Sequence, residues 1–173
     1  MSQLFRSPTA FRTFMNLWPP FWGTGISITG MAPDYSRLVV QMKKRFYNAN
    51  AFGTHFGGSL YAMCDPFLVL MLVPQLGPEY LIWDKAASIE FIKPGRGTVT
   101  AVFEWDAAEI AEIRQRTEGG AKYEPQRMVE VRDASGELVA RVHKTLYVRR
   151  RRPEPEPAAA PRAVAAADQV AAG

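Results

Sequence analysis

The chain has little of what most compact catalytic or metal-binding motifs are built from. It carries one cysteine, Cys64, and two histidines, His55 and His143, in 173 residues. A single cysteine excludes an internal disulfide, and Cys64, set among apolar neighbours with no histidine beside it, reads as a buried and inert thiol. The histidines lie far apart in sequence and have no metal-ligand spacing. No GxGxxG, GxxxxGK or CxxC word occurs, and no internal repeat. The longest apolar run, Phe67 to Val73, is too short to cross a bilayer, and the N-terminus lacks a signal-peptide pattern, so no membrane span and a cytoplasmic location are expected.

What is present fits one domain. A composition of 47% hydrophobic and 12% aromatic residues is enough for a real core. The formal charge of +4 hints at nucleic acid, but half of it comes from Arg149 onward, where five arginines oppose Glu154, Glu156 and Asp168. No nucleic-acid partner is expected. Residues 151–173 hold no aromatic and few large apolar side chains and are expected to be a disordered tail. The arginine run at its base is either solvated charge or a contact for phosphates.

Alternation of apolar and polar residues predicts strands over 26–32 and 36–44, joined at Pro33-Asp34 as a hairpin. A second pair, 81–92 and 97–105, is expected across KPGRG, and a third hairpin, 126–133 and 137–150, across Ala134-Ser135-Gly136. Asp106 to Glu109 has capping-box form and opens a short helix to about residue 116, with Glu112 and Arg116 spaced to pair on it. An extension, 1–23, contains a short amphipathic helix over 9–18 closed by Pro19-Pro20, which packs on the body or on a partner. The folded domain is therefore 24–150. Its economical architecture is α+β, an antiparallel sheet of about six strands wrapped around one long apolar helix.

That helix is GGSLYAMCDPFLVLMLVPQ, from Gly57 to Gln75, and its only charge is Asp65. An isolated carboxylate in a segment that must be buried is costly unless it is hydrogen-bonded or used, which marks Asp65 as the leading functional candidate. The competing reading makes Asp65 the N-cap, with Pro66 at N1, of a restarted helix. Asn50, Thr54, His55, Gly57 and Gly58 crowd the upstream end. The glycines serve either chemistry or close helix–sheet packing. His55 either bonds a loop carbonyl or touches substrate. Asp84 and Lys85 read as a structural pair between strands or as part of a site. His143 reads as a sheet-surface residue, and the Phe67 to Leu72 apolar set as core, part of which could line an acyl tunnel.

A strand pair, then N-x-x-G-T-x-x-G-G, then an apolar helix with Asp65 seven residues after Gly58, then sheet, resembles the hotdog-fold acyl-CoA thioesterases of the phenylacetyl-CoA thioesterase-like branch. GTHFGG with the later WDKAA is similar to the subfamily named tetrameric acyl-CoA thioesterases. The resemblance covers roughly 20–150. It implies that Asp65 is the catalytic carboxylate, as general base toward water or as nucleophile, and that Asn50 helps hold water or the thioester carbonyl. It also implies that the backbone N–H groups of Gly57 and Gly58 meet the developing oxyanion. Thr54, His55 and Asp84 would face substrate. The branch usually places a histidine directly before the double glycine, whereas Phe56 intervenes here. It places a Ser or Thr reaching a partner subunit's site near the position of Asp84. The implied function is hydrolysis of acyl-CoA to free acid and CoA, without metal or added cofactor, in a homodimer or homotetramer with sites between subunits. The alternative is a non-catalytic binder of acyl-CoA or another lipid-like ligand. A hotdog hydratase would usually want an Asp/His dyad, and His55 lies in the loop instead.

Overall fold

The computed structural model describes residues 3–151 of the chain. Apart from Arg151, the expected disordered tail lies outside the described residues. After a 3₁₀ turn, α1 (Pro8–Leu17) starts where Ser7 Oγ accepts the Ala10 N–H and Pro8 supplies a helical φ without needing a donor. Its buried face, Phe11 and Met15, and Phe21 of the short α2 (Pro19–Trp22) join the main core. Of the two docking options for the N-terminal segment, the body is the one observed.

α1 also closes one edge of the sheet. The strand β1 (Ile26–Met31) forms the expected hairpin with β2 (Arg37–Lys43). Mid-strand, Asn16 Oδ1 accepts the Ile28 N–H at 2.7 Å, while Asn16 Nδ2 and Arg12 Nε each donate to the Ile28 carbonyl at 3.1 Å. Side chains here take the place of a further strand.

The predicted single long helix is two helices, α3 (Gly57–Ala62) and α4 (Phe67–Leu76). Pro66 has no N–H to give, and a residue before proline is driven out of the helical region, so the ladder tightens at Cys64 and Asp65 into bonds three residues back and then stops. Taken together, 57–76 is long and apolar enough to cross a membrane by length and composition alone; half of it is buried within the protein. Leu60, Met63, Phe67, Leu68, Met71 and Leu72 pack into the core. Gly77, at φ 101°, ends α4 where expected.

The remaining elements are β3 (Tyr80–Phe91), β4 (Thr98–Glu104), α5 (Ala107–Arg116), β5 (Lys122–Tyr123), β6 (Gln126–Asp133) and β7 (Leu138–Arg150). The capping box is complete: Asp106 Oδ1 accepts the Glu109 N–H and Glu109 Oε2 accepts the Asp106 N–H. Arg116 pairs with Glu112 at 2.8 Å. The antiparallel sheet runs β1-β2-β4-β6-β7-β3, with β5 pairing on β7. The third hairpin, β6 with β7, forms as expected. The second pair does not: β3 lies at an edge against β7, and β4 lies between β2 and β6. The 92–97 connection is a crossover rather than a turn. It is pinned by Ile92 N–H to Val139 O, by Lys44 N–H to Gly97 O and by two bonds from His55.

β3 carries a bulge between Asp84 and Ala86. Asp84 stands opposite Leu146, and Ala87 opposite Lys144. The extra residue, Lys85, keeps both Asp84 and Ala87 on the inner face, although three positions apart in a regular strand would put them on opposite faces.

Candidate active site

Two groups of polar side chains flank α3. The first is the 48–58 loop and the groove it makes with the crossover. Asn50 organises this loop: its Oδ1 accepts the N–H groups of Phe52 (3.0 Å) and Thr54 (3.1 Å), and its Nδ2 donates to Thr54 Oγ1 (2.9 Å) and the His55 carbonyl (3.2 Å). Asx-type bonding of this kind is what asparagine offers a turn. His55 is buried, its N–H donates to Gly95 O at 3.0 Å and its Nε2 lies 3.0 Å from Gly97 O. Nε2 therefore carries the proton and Nδ1 is a bare acceptor, left without a partner in the chain. Burial pushes the His55 pKa down, the bond to Gly97 opposes that, and the Lys44 charge adds to it. Gly95 allows a close approach here, because a Cβ would sit 3.0 Å from Val139 Cγ1 and 3.2 Å from His55 Cδ2 and one of these side chains would have to give way.

Asn50, Thr54, His55, Gly57 and Leu60 line one side of a groove of about 370 Å³ whose other side is Phe91 to Gly95. Gly57 and Gly58 begin α3, and neither N–H donates to a group among the described residues. A Cβ on Gly57 would meet Phe91 Cζ at 2.9 Å, so the glycine lets that ring close the groove.

The second group lies past the other end of α3. Asp65, in the break before α4, is neither isolated nor an N-cap: the cap position of α4 falls on Pro66 and no side chain caps it. Instead Asp65 Oδ1 lies 3.4 Å from the Lys144 ammonium, which also donates to the Asp65 main-chain carbonyl and lies 2.9 Å from Asp84 Oδ1. The Lys144 side chain has 0% exposure, Asp84 26% and Asp65 50%. Burial raises the Asp84 pKa and the Lys144 contact pulls it back, while the Asp65 charge pushes it up again. Tyr61 and Cys64 sit within the same field. Burial raises the Tyr61 pKa, with further push from Asp65 and Asp84. Burial drives the Cys64 thiol to about 12, and the cysteine is fully enclosed, as its surroundings in sequence indicated.

The expected Asp84–Lys85 pair is replaced by Asp84–Lys144 and by Lys85–Glu124 at 2.7 Å, because the bulge turns Asp84 inward and Lys85 out. Lys144 itself was not singled out in the sequence, although it sits at the inward parity of β7 between buried Val142 and Leu146. His143, one position away, is half-exposed beside Glu90, as read. Among the described residues, no three His, Cys, Asp or Glu side chains gather closely enough to hold a metal ion.

The site residues predicted from sequence thus fall into two sets. Asn50, Thr54, His55 and Gly57 share the groove with Gly58 at its margin, while Asp65 and Asp84 share Lys144. Gly57 and Asp65 are eight residues apart, roughly 12 Å along a helical path.

Residues 8–148 match a family model described as a domain of unknown function, DUF4442. The chain belongs to the DUF4442 family. No curated protein matches it. Among solved structures it is similar to a Pseudomonas aeruginosa protein of unknown function described as a probable thioesterase. That likeness has a TM-score of 0.72 at 21% identity, over 83% of this chain and 96% of that one. A thioesterase from Haemophilus influenzae matches with TM-score 0.60 at 14% identity, over 82% and 90% of the two chains. The Escherichia coli PaaI protein from the phenylacetic acid degradation operon matches with TM-score 0.57 at 19% identity, over 85% and 92%. These likenesses show the fold of this family member, the hotdog fold, as the order of its motifs implied.

Proposed function

We propose that the protein hydrolyses acyl-CoA thioesters to a free acid and CoA, in a homo-oligomer whose sites lie between subunits. The observation that carries the reading is Asp65, a half-exposed carboxylate held by a buried lysine at the end of the helix. Several proteins of the same fold are described as thioesterases, which supports the same chemical class.

Water gives a proton to the Asp65 carboxylate and attacks the thioester carbonyl. The oxyanion is met by the free amides of Gly57 and Gly58, the C–S bond breaks, and the CoA thiolate leaves with a proton. The reaction needs no cofactor beyond the CoA of the substrate. Both Nδ2 hydrogens of Asn50 are spent inside the loop, so in this mechanism Asn50 acts by shaping the groove that holds Thr54, His55 and the amides. Gly57 and Asp65 lie at and beyond opposite ends of α3, so in this mechanism one carbonyl meets the amides of one chain and the carboxylate of another. A second copy therefore supplies the missing half, Asp65 with Asp84 from one subunit and the groove from the other. The open edge of β3 supports this arrangement. It is 12 residues long, it ends at the groove residue Phe91, and among the described residues no strand or side chain covers it as Asn16 covers β1.

Purified protein assayed for free thiol against acyl-CoAs of graded chain length is the test, and steady release is expected. Binding of acyl-CoA with no release of thiol would leave the non-catalytic reading. Addition of water to an enoyl-CoA without thiol release would make the protein a hydratase.

A further inference from the structure

Lys144 is the one lysine or arginine buried among the described residues, and the reaction as derived so far assigns it nothing. We propose that Lys144 is a positioning residue for hydrolysis: its ammonium anchors Asp65 and is shared between Asp65 and Asp84, so that the Asp65 carboxylate is held in one place where it reaches substrate. The inference rests on the thioesterase reading.

A lysine ammonium has three protons. Here the three acceptors around it are the Asp65 carbonyl, Asp65 Oδ1 and Asp84 Oδ1. With no exposed side-chain surface, Lys144 has no route to a substrate carbonyl or phosphate and acts only through the aspartates. Its hold is double, because one group takes both the main-chain carbonyl and the carboxylate of Asp65. The break between α3 and α4 and the aim of the side chain are therefore set together, from a strand in the middle of the sheet's longest pairing.

The charges also settle which carboxylate is presented. Two carboxylates against one ammonium leave a single negative charge in excess, and the more exposed partner, Asp65, can be solvated while Asp84 cannot to the same extent. No other charge competes. The neighbours from α3 and its end are Tyr61 and Cys64, whose protonated forms the surroundings favour. Across the ladder on β3 stands Ala87, which leaves room for the lysine and adds no charge. Across on β6 stands Arg127, which is engaged by Glu109 and lies over the Trp105 ring at 4.6 Å.

The test is the pH profile of kcat/KM for an acyl-CoA that the wild type hydrolyses, with the carboxyl titration of Asp84 followed by NMR. Removing the ammonium in Lys144→Met is expected to move the acid limb to higher pH, since the positive charge that faces both carboxylates is lost. KM should change far less than kcat. The Asp84 carboxyl, already raised by burial, should climb further. Asp84→Asn leaves the whole ammonium to Asp65 and is expected to move the limb the other way, to lower pH. That opposite displacement carries the test if Lys144→Met does not fold. An acid limb unmoved in a folded Lys144→Met protein, or unmoved or raised in Asp84→Asn, overturns the positioning role. A wild type that releases no thiol removes the thioesterase reading and this role with it. The Asp84 titration distinguishes that failure, because it reports the shared ammonium whether or not there is turnover.

Discussion

The Lys144 ammonium, wholly enclosed, lies 2.9 Å from Asp84 Oδ1 on the neighbouring strand. A buried ion pair of this kind gains little net stability over an apolar pair, because both charges lose water, but removing one partner strands the other at a cost of about 3–5 kcal/mol. Asp84→Ala is expected to lower the melting temperature clearly, since Lys144 then keeps only the half-exposed Asp65. Asp84→Asn, which still offers an oxygen to the ammonium, should lower it less. Equal melting temperatures for the two variants would show that the pair does not hold β3 to β7.

Asp65→Asn is expected to lower kcat by roughly 10²-fold or more, on the scale usual for loss of a general base. Stability should move by no more than about 1 kcal/mol, because the Asp65–Lys144 contact is 3.4 Å long and half-solvated on the aspartate side. Turnover retained in a folded Asp65→Asn protein would remove the mechanism.

Sharing of the site between subunits has a specific signature in mixed oligomers. An inactive Gly57 variant exchanged with Asp65→Asn chains should recover roughly a quarter of wild-type activity at equal mixing, since about half the dimers are mixed and each holds one intact site. Asp65→Asn mixed with an inactive Asp84 variant should recover nothing, because Asp65 and Asp84 belong to the same half through Lys144. The family resemblance suggested that this last pair would complement. Recovery from it would separate the two aspartates, and no recovery from the first pair would confine the chemistry to one chain.

His55 makes stability depend on pH. Its folded pKa lies below the ordinary 6.5 because it is buried, so the unfolded chain binds the proton more readily. The histidine's contribution is therefore full above pH 6.5 and is lost as pH falls from there toward the lower folded value. Unfolding by denaturant at a series of pH values should show this slope in the wild type and a weaker one in His55→Gln. Identical slopes would place the titration elsewhere.

Cys64, with its thiol raised to about 12 and no surface exposed, should resist alkylation by maleimide in the native protein and react only as fast as the chain opens. Prompt stoichiometric labelling of the folded protein would contradict that enclosure.

Much of the fold was legible because its signals are local. Alternation bounded by Pro33-Asp34 and by Ala134-Ser135-Gly136 located two hairpins, and Asp106 with Glu109 located α5. What was misread depends on contacts distant in sequence. KPGRG looks like a hairpin loop at five residues, yet His55, some 40 residues earlier, holds Gly95 and Gly97 and sends the chain across the sheet. Asp65-Pro66 does announce a break in the helix, but not that the carboxylate would turn to Lys144 instead of capping α4. Strand parity could have put Lys144 inside beside Val142 and Leu146, a signal the sequence reading did not use, and the bulge at Lys85 concealed that Asp84 faces it.

The two edges of the sheet differ in what they permit. β1 has the middle of its outer rim occupied by Asn16 and Arg12, whereas among the described residues no strand pairs with the outer rim of β3. Were two copies of the sheet to pair β3 to β3, as the proposed shared site would have it, the joined sheet would carry an occupied rim at both ends. The small helix at the N-terminus thus guards one rim of the sheet against strand addition, through Asn16 and Arg12 on the Ile28 backbone.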